Sequence, residues 1–490
     1  METITLKANA QLLEKKIKEL KGKFTLNDAA AITGVPTEQA RESLNELMSK
    51  YICHLQVSEN GDLIYDFGTS PTRRGEKTFT EILDDAKEWL WKVFKIFFKA
   101  WITVTLVVYF LIFVAILIAA IIAMATSNKD DKDSSSKNST GALFRLITDI
   151  FYAIFRWNTI KSYQETYYEY DRYGQPYKHY KPVESTLFNT KARSPKAKKN
   201  FISSVYDFVF GPPRVEPEPF ENQREVAAYA RQNKGIMVLP EFKALAGWEH
   251  NQAQEFMTDC IARFNGSAEI SNNGVLYADF YDLTRSTTQN QDGKIEWYWN
   301  EYEPEYELTG NTTGRNAGII FMNLFNLLFA SLFVFNPDLR NFTGEREFEG
   351  LVFYGLGVVP FLFSVTFFAV PILRYLNILP KRKKRRKNNI RKRLVKVIYQ
   401  KGAQKNLNLD EIVADVNTEN TEKLTKAEVE KMMNDLVVDW QGEVVLNDNG
   451  RIDYEFRQLR YELDEARNLR QNRKDEGRNL GNIYLDTGKL

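Results

Sequence analysis

Three histidines and two cysteines are all the imidazole and thiol ligands that the chain offers, and they are scattered. His54, His179 and His250 share no ligand spacing, and Cys53 and Cys260 lie far apart, so neither a zinc site nor a disulfide framework is expected. No phosphate-cradling glycine loop, dinucleotide fingerprint or serine nucleophile elbow occurs. No catalytic residue, cofactor site or metal site is therefore assigned, and the chain reads as a non-enzyme. The chemistry it does carry is charge recognition. Lys381, Arg382, Lys383, Lys384, Arg385, Arg386 and Lys387 form an unbroken basic run. Such a run beside an apolar segment suits contact with anionic lipid headgroups and marks the inner side of a membrane. Acidic side chains recur at helical spacing elsewhere, at Glu38, Glu42 and Glu46 and again at Glu249, Glu255 and Asp259. These are candidate protein-docking faces, or else solvated helix surfaces.

The elements that position these charges follow from a pattern written three times. VSENGDLIYDF (Val57 to Phe67), ISNNGVLYADF (Ile270 to Phe280) and LNDNGRIDYEF (Leu446 to Phe456) each place an Asn-Gly pair between alternating side chains. Asn60-Gly61, Asn273-Gly274 and Asn449-Gly450 predict three hairpins with two-residue turns, each glycine at positive φ. In the first unit a helix over Gln11 to Lys21 turns Leu12, Leu13, Ile17 and Leu20 inward. Phe24 to Leu26 is extended. Asn27 is the expected cap of a helix through Ala30 to Thr33, stopped by Gly34. Thr37 is the expected cap of the next helix, whose Ala40, Leu44, Leu47 and Met48 share a face. The same order recurs from Arg224 and from Leu394, with Asn417 to Lys423 lengthening one turn of the third copy.

Helix, strand, two helices and a hairpin is the order of a winged-helix domain, which all three copies resemble. The resemblance implies a third helix that docks on DNA. That helix carries two basic against three acidic residues in the first copy (Glu38, Arg41, Glu42, Glu46, Lys50). In the second it carries one against three (Glu249, Glu255, Asp259, Arg263), and in the third two against four (Lys426, Glu428, Glu430, Lys431, Asp435, Asp439). Such faces repel a phosphate backbone, so the expected partner is another protein and not nucleic acid.

Membrane-length apolar stretches separate the copies: Ile96 to Ala125, Ala317 to Phe335 and Leu351 to Leu379. Asn323 and Asn326 lie one turn apart in the second, suited to bridging helices or lining a pocket. Basic flanks on both sides of the chain place all three copies on one side. That needs a fourth crossing or re-entrant segment, for which Leu143 to Trp157 is the candidate. The N-terminal stretch is polar and amphipathic and reads as no signal peptide. The aromatic stretches 163–180 and 294–308 are expected to pair as a sheet on the second copy. Leu459, Leu463, Ala466 and Leu469 stripe a last helix that docks on the third copy or on another chain. The segment Gly357 to Lys392 (GVVPFLFSVTFFAVPILRYLNILPKRKKRRKNNIRK) resembles uncharacterised integral membrane proteins of cyanobacteria and plastids. The resemblance implies a plasma, thylakoid or plastid membrane.

The expected fold is thus an α+β multidomain membrane protein, three winged-helix-like domains joined by helical transmembrane segments. Its divisions are a first repeat at 1–75, a lead-in and first span at 76–126, and a polar loop with a short crossing at 127–160. A Tyr-rich segment and linker (161–220), a second repeat (221–283) and an aromatic-acidic segment (284–315) follow. Then come spans at 316–336 and 351–380 about a loop at 337–350, the basic run at 381–393, a third repeat at 394–457 and a charged tail at 458–490. Expected partners are membrane lipids and a protein, with no small-molecule substrate. A membrane-anchored interaction or assembly protein is the leading reading. A membrane-tethered transcription regulator and a small transporter are the alternatives.

Overall fold

The computed structural model describes residues 6–17, 20, 22–76, 79–127, 200–213, 218–287, 293–301, 303, 305–341, 346–418, 423–446, 451–474 and 480–488. The first unit runs α1 (Leu6–Lys16), β1 (Lys23–Thr25), α2 (Leu26–Thr33), α3 (Thr37–Lys50), β2 (His54–Ser58) and β3 (Leu63–Asp66). Leu13, Ile17, Leu20, Phe24, Leu44, Leu47, Tyr65 and Phe67 close its core. Helix α4 (Phe79–Ser127) then leaves the unit as one long rod, and α5 (Phe201–Phe210) is a short apolar helix. The second unit repeats the plan with α6 (Glu221–Gln232), β4 (Ile236–Val238), α7 (Leu239–Ala246), α8 (His250–Arg263), β5 (Ser267–Ile270) and β6 (Leu276–Asp279).

After α9 (Thr313–Phe335) come α10 (Arg346–Val352), a π turn at Phe353–Val358 and α11 (Val359–Val397). The third unit has a π turn at Ile398–Gly402, then β7 (Leu407–Asn408), α12 (Leu409–Thr418), α13 (Lys426–Asp439), β8 (Glu443–Leu446) and β9 (Ile452–Glu455). Helix α14 (Arg457–Asn472) and strand β10 (Ile483–Asp486) complete the chain. In every unit the strand before the two helices pairs with the last strand, which pairs with the middle one. The sheet orders are β1-β3-β2, β4-β6-β5 and β7-β9-β8, all antiparallel.

The hairpins differ from a two-residue turn. Gly61 N–H donates to Ser58 O at 2.9 Å, and Ser58 N–H to Asp62 O at 3.0 Å. Gly274 and Ser271 repeat this at 2.8 and 2.9 Å, the latter to Val275 O. Each loop is therefore three residues long: a type I turn followed by a glycine in the left-handed region. Gly61 has φ +83° and Gly274 φ +78°, while neither Asn60 nor Asn273 is left-handed. Only the glycine needs the special conformation, because the type I turn suits an ordinary residue at the Asn position. Asn449 and Gly450 lie outside the described residues. No heavy atom would lie within 4 Å of a Cβ added at Gly61, so a Gly61→Val change acts through backbone strain alone. It is expected to lower unfolding stability by ~1 kcal/mol or more, measured by thermal or denaturant unfolding.

The caps also differ from expectation. Thr25, not Asn27, caps α2: its Oγ1 accepts from Asp28 N at 3.1 Å, and Asp28 Oδ2 accepts from Thr25 N at 2.9 Å. Asn27 sits inside the helix, and its amide donates to Asp282 O near the second unit. Thr37 is the first residue of α3, not its cap, and its hydroxyl donates to Arg263 O of the second unit. Both polar side chains serve contacts between units, which local spacing does not reveal.

Among the described residues, three helices are long and apolar enough to cross a membrane: Glu81–Ala123, Thr313–Phe335 and Glu349–Gly402. Helices α4 and α9 run the same way, since Phe110 meets Phe325 at 5.3 Å and Phe113 meets Phe333 at 6.3 Å. Helix α11 returns: Phe361 lies 5.7 Å from Phe335, and Phe367 packs near Ile319 and Met322. Helix α5 packs on the end where α4 enters, touching Phe98, with Arg374 of α11 donating to Val209 O at 2.7 Å. Ser127 ends α4 at the far end of the bundle. Ser127 and Asn200 therefore stand at opposite ends of the bundle. The candidate crossing at 143–157 and the aromatic stretch 163–180 lie outside the described residues. The stretch 294–308 forms no strand among its described residues. It holds a 3-10 turn at Tyr298–Asn300 instead.

Candidate functional site

The acidic helices of the first two units stand at the surface, but their carboxylates are not equivalent. Glu38 and Glu42 on α3 are exposed, Glu38 lying 3.3 Å from Arg41. Glu46 is half-buried and bonded to Lys50 Nζ at 2.6 Å. Glu249, the residue that precedes α8, and Glu255 on α8 are exposed, with Arg391 3.7 Å from Glu249. Asp259 instead grips Arg263 through contacts of 3.1 Å, and Arg263 Nη1 donates to Gly34 O of the first unit. Glu38, Glu42, Glu249 and Glu255 are the solvent-facing members of the set, whereas Glu46 and Asp259 hold neighbours in place.

The basic run is the continuation of α11 beyond its apolar part, and it meets the acidic stretch that follows the second unit. Arg382 Nε donates to Tyr306 O and Arg385 Nε to Glu303 O, each at 2.7 Å. Arg385 lies 3.6 Å from Glu305, and Lys392 3.5 Å from Glu301. Arg386 reaches Glu428 on α13 at 3.0 Å. Glu428 is held down at about 2, first by the backbone N–H of Thr425 that it caps and then by Arg386. Lys381, Lys383, Lys384 and Lys387 keep exposed side chains on the same helix. The arginines thus bind protein, as planar forks suited to carbonyls and carboxylates, and the lysines face solvent. Trp297 and Trp299 stack at 5.1 Å and lean on Tyr399 of the π turn, so this stretch is fixed by aromatic packing in place of a sheet.

Buried ion pairs join the three units. Asp28, wholly buried, takes Arg231 Nη2 at 2.8 Å and the hydroxyl of Ser286 at 2.6 Å. Around it Ala30, Ala31 and Ala40 of the first unit pack against Val226, Ala227 and Ala230 of α6. Asp62 in the first hairpin accepts from Arg285 at 2.8 Å. Between the second and third units Asp439 accepts from His250 N at 2.7 Å and Arg391 Nη2 at 3.0 Å, and its carbonyl takes Lys243 Nζ. Lys243 also lies 4.4 Å over the Trp440 ring. Burial pushes Lys243 down to about 8, against the pull of Asp439.

Helix α14 docks between the second and third units, not on the third alone. Leu459, Leu463 and Ala466 are buried with residues of both. Its Arg470 pairs with Glu241 at 2.6 Å, and Arg473 with Asp279. Asn273 of the second hairpin donates to Glu465 at 2.7 Å, and Tyr461 donates to its carbonyl at 2.7 Å. The Asn of that turn is therefore an anchor as well as a turn residue. Cys260 is fully buried, and burial holds its thiol well above the usual range. Cys53 follows α3, is half-buried and is pushed up to about 11 by burial.

In the apolar bundle Asn323 and Asn326 bridge helices. Asn323 Nδ2 donates to Ser364 O at 3.0 Å on α11, and Asn326 Nδ2 to Leu106 O at 2.9 Å on α4. Each amide thereby ties α9 to a different partner, the use for which polar side chains are retained between apolar helices.

An uncharacterised chloroplastic protein of Arabidopsis thaliana is 20% identical to this chain over 396 residues, covering 75% of the chain and 67% of that protein. No family model and no solved structure matches the chain. The similarity to a plastid-related protein and the three membrane-length helices are compatible with a membrane location.

Proposed function

We propose that this chain is an integral membrane protein whose three α+β units are winged-helix-like docking domains, gathered on the cytoplasmic or stromal face to hold another protein during assembly or upkeep of a membrane complex. The observation that carries the reading is the arrangement of charge. The units are tied together by buried ion pairs at one end of an apolar bundle, yet Glu38 and Glu42 on α3, Glu249 just before α8 and Glu255 on α8 stay solvent-facing. A helix face with this sign suits a basic protein surface and opposes DNA. The relative's chloroplastic label favours a plastid or thylakoid-type membrane.

The test is charge reversal at the exposed carboxylates only. Glu38→Lys with Glu42→Lys, and separately Glu249→Lys with Glu255→Lys, leave the carboxylates that hold Lys50 and Arg263 untouched. Each pair is expected to cut recovery of a crosslinked partner from native membranes several-fold and to leave membrane insertion unchanged. Partner association should also weaken as salt rises. Unchanged recovery in both variants would leave these faces as solvated surface and end the docking reading.

A further inference from the structure

The second strand of each unit in sequence (β2, β5 and β8) lies at an edge of that unit's three-stranded sheet. In the first unit that edge is covered: β10 pairs antiparallel with β2, Asp486 opposite Gln56 and Ile483 opposite Ser58. Among the described residues, β5 and β8 carry no such strand. The cover is read by side chains as well as by the backbone ladder. Gln56, itself buried, donates from Nε2 to Asp486 Oδ2 at 3.0 Å. Glu59 accepts from Asn482 N and from Asn482 Nδ2, each at 3.2 Å. Leu55 N donates to Thr487 Oγ1 at 2.8 Å, and Thr487 N donates to Leu55 O at 3.0 Å. Gly481 has φ +74°, and a Cβ there would meet Glu59 at 3.1–3.2 Å. The edge therefore selects Gly-Asn at one end of a strand and Asp-Thr at the other.

The strand itself is weakly anchored by apolar contact. Ile483 is 50% exposed, Tyr484 84% and Leu485 45%, and the register shifts between Ile483 and Leu485. What holds it is a short ladder and the polar contacts just named, an arrangement in which backbone bonds give affinity and a few side-chain positions give specificity. An edge that is matched to a sequence but buries little of it can exchange its occupant, as strand-covered edges do in domain swapping.

We propose that the β2 edge of the first unit is a strand-docking site for the segment Gly481–Thr487, and that this segment passes between copies of the chain, so that a second copy is the partner the site takes. The site is independent of the acidic helix faces and survives if the docking reading of those faces fails.

Two measurements test it. A chain ending at Lys474, in detergent or nanodiscs, is titrated with a labelled peptide of residues 480–490. The peptide is expected to bind the shortened chain at least tenfold more tightly than the full chain, whose edge is filled. Gln56→Ala in the shortened chain, or Asp486→Ala in the peptide, should each weaken binding about fivefold or more. A shortened chain that unfolds near the full chain's temperature but does not bind the peptide overturns the site. Where the shortened chain does not fold, the full chain carrying Gly481→Val takes its place, since that change loosens the resident strand. It should bind the peptide at least tenfold more tightly than the unsubstituted chain, and equal binding overturns the site. Exchange is tested with Cys53 and Cys260 replaced by Ser, using one full chain with Gln56→Cys and another with Asp486→Cys. After mixing and mild oxidation, a disulfide can form only between copies. Covalent dimers containing one of each chain support exchange. Their absence, where the double variant closes its own disulfide within one chain, shows a fixed fourth strand and overturns it.

Discussion

Arg231→Met is expected to destabilise the contact between the first and second units by about 3–5 kcal/mol, the usual cost of removing one partner from a buried ion pair. Asp28 is wholly buried and Arg231 only 4% exposed, so the carboxylate left behind has no water to turn to. Ser286 and Thr287 still donate to it, at 2.6 and 3.3 Å, but neither carries charge. The double variant Asp28→Leu, Arg231→Met is expected to recover most of the loss, because both desolvated charges are gone. It should remain about 1 kcal/mol short, since Asp28 is also the capping-box partner of Thr25 at the start of α2. Thermal unfolding and protease susceptibility of the 34–37 loop would report both effects. A loss under ~1 kcal/mol in the single variant would mean that solvent reaches the pair and that the contact is held by its alanines alone.

That pair illustrates what was and was not legible in the sequence. Each unit's order was written locally: glycine placed the hairpins, and the apolar spacing of Leu44 and Leu47 placed α3 over Phe24. Side chains whose partner lies some two hundred residues away carried a local signal that misled. Asn27 and Thr37 have the chemistry of helix caps, yet they bond Asp282 O and Arg263 O across the unit boundary. Asp259 and Glu46 resemble members of an open acidic face, but their neighbours Arg263 and Lys50 occupy them. Each of those cations stands one helical turn further on, so an i,i+4 ion pair takes these two carboxylates out of the open face. Strand β10 gave almost no signal, because a four-residue strand with exposed side chains needs neither alternation nor a turn of its own. Its place is set by Gln56 and Glu59, which local periodicity treats as ordinary polar positions.

The same logic explains why the long helix from α10 through the second π turn reads in sequence as a span followed by a separate basic segment. Hydropathy changes abruptly near Leu379, but helical geometry does not, and Lys and Arg are good helix formers. Continuing the helix carries Arg382, Arg385 and Arg386 to the carbonyls of Tyr306 and Glu303 and the carboxylates of Glu305 and Glu428. The apolar bundle is thereby joined to the second and third units by a rod, with Lys392 and Arg391 completing the join. A flexible juxtamembrane linker would leave the units free to move independently, whereas this rod fixes their register to the bundle.

Where the rod meets the second unit, stability should depend on pH in a particular direction. Lys243 is 3% exposed and is pushed down by burial to about 8 from an ordinary 10.5, Asp439 opposing the shift without cancelling it. Between those two values the unfolded chain holds the proton and the folded chain does not, so raising the pH favours the folded contact. The gain begins near pH 8 and is complete near 10.5, reaching about 3 kcal/mol at 1.36 kcal/mol per pKa unit. Tyr229, held well above its usual range by burial, loses stability over the top of the same window, so the raw curve is a sum. Lys243→Met isolates the lysine: the difference between the unsubstituted chain and the variant should stay flat below pH 8 and then move by about 3 kcal/mol in favour of the unsubstituted chain. Asp439 keeps Arg391 at 3.0 Å and the backbone N–H of His250 at 2.7 Å in that variant, so it is not left without a partner. Chemical denaturation of the purified chain at intervals from pH 7 to 10.5 gives the measurement. A difference that does not change with pH would mean that Lys243 keeps its proton throughout, with Asp439 compensating its burial in full.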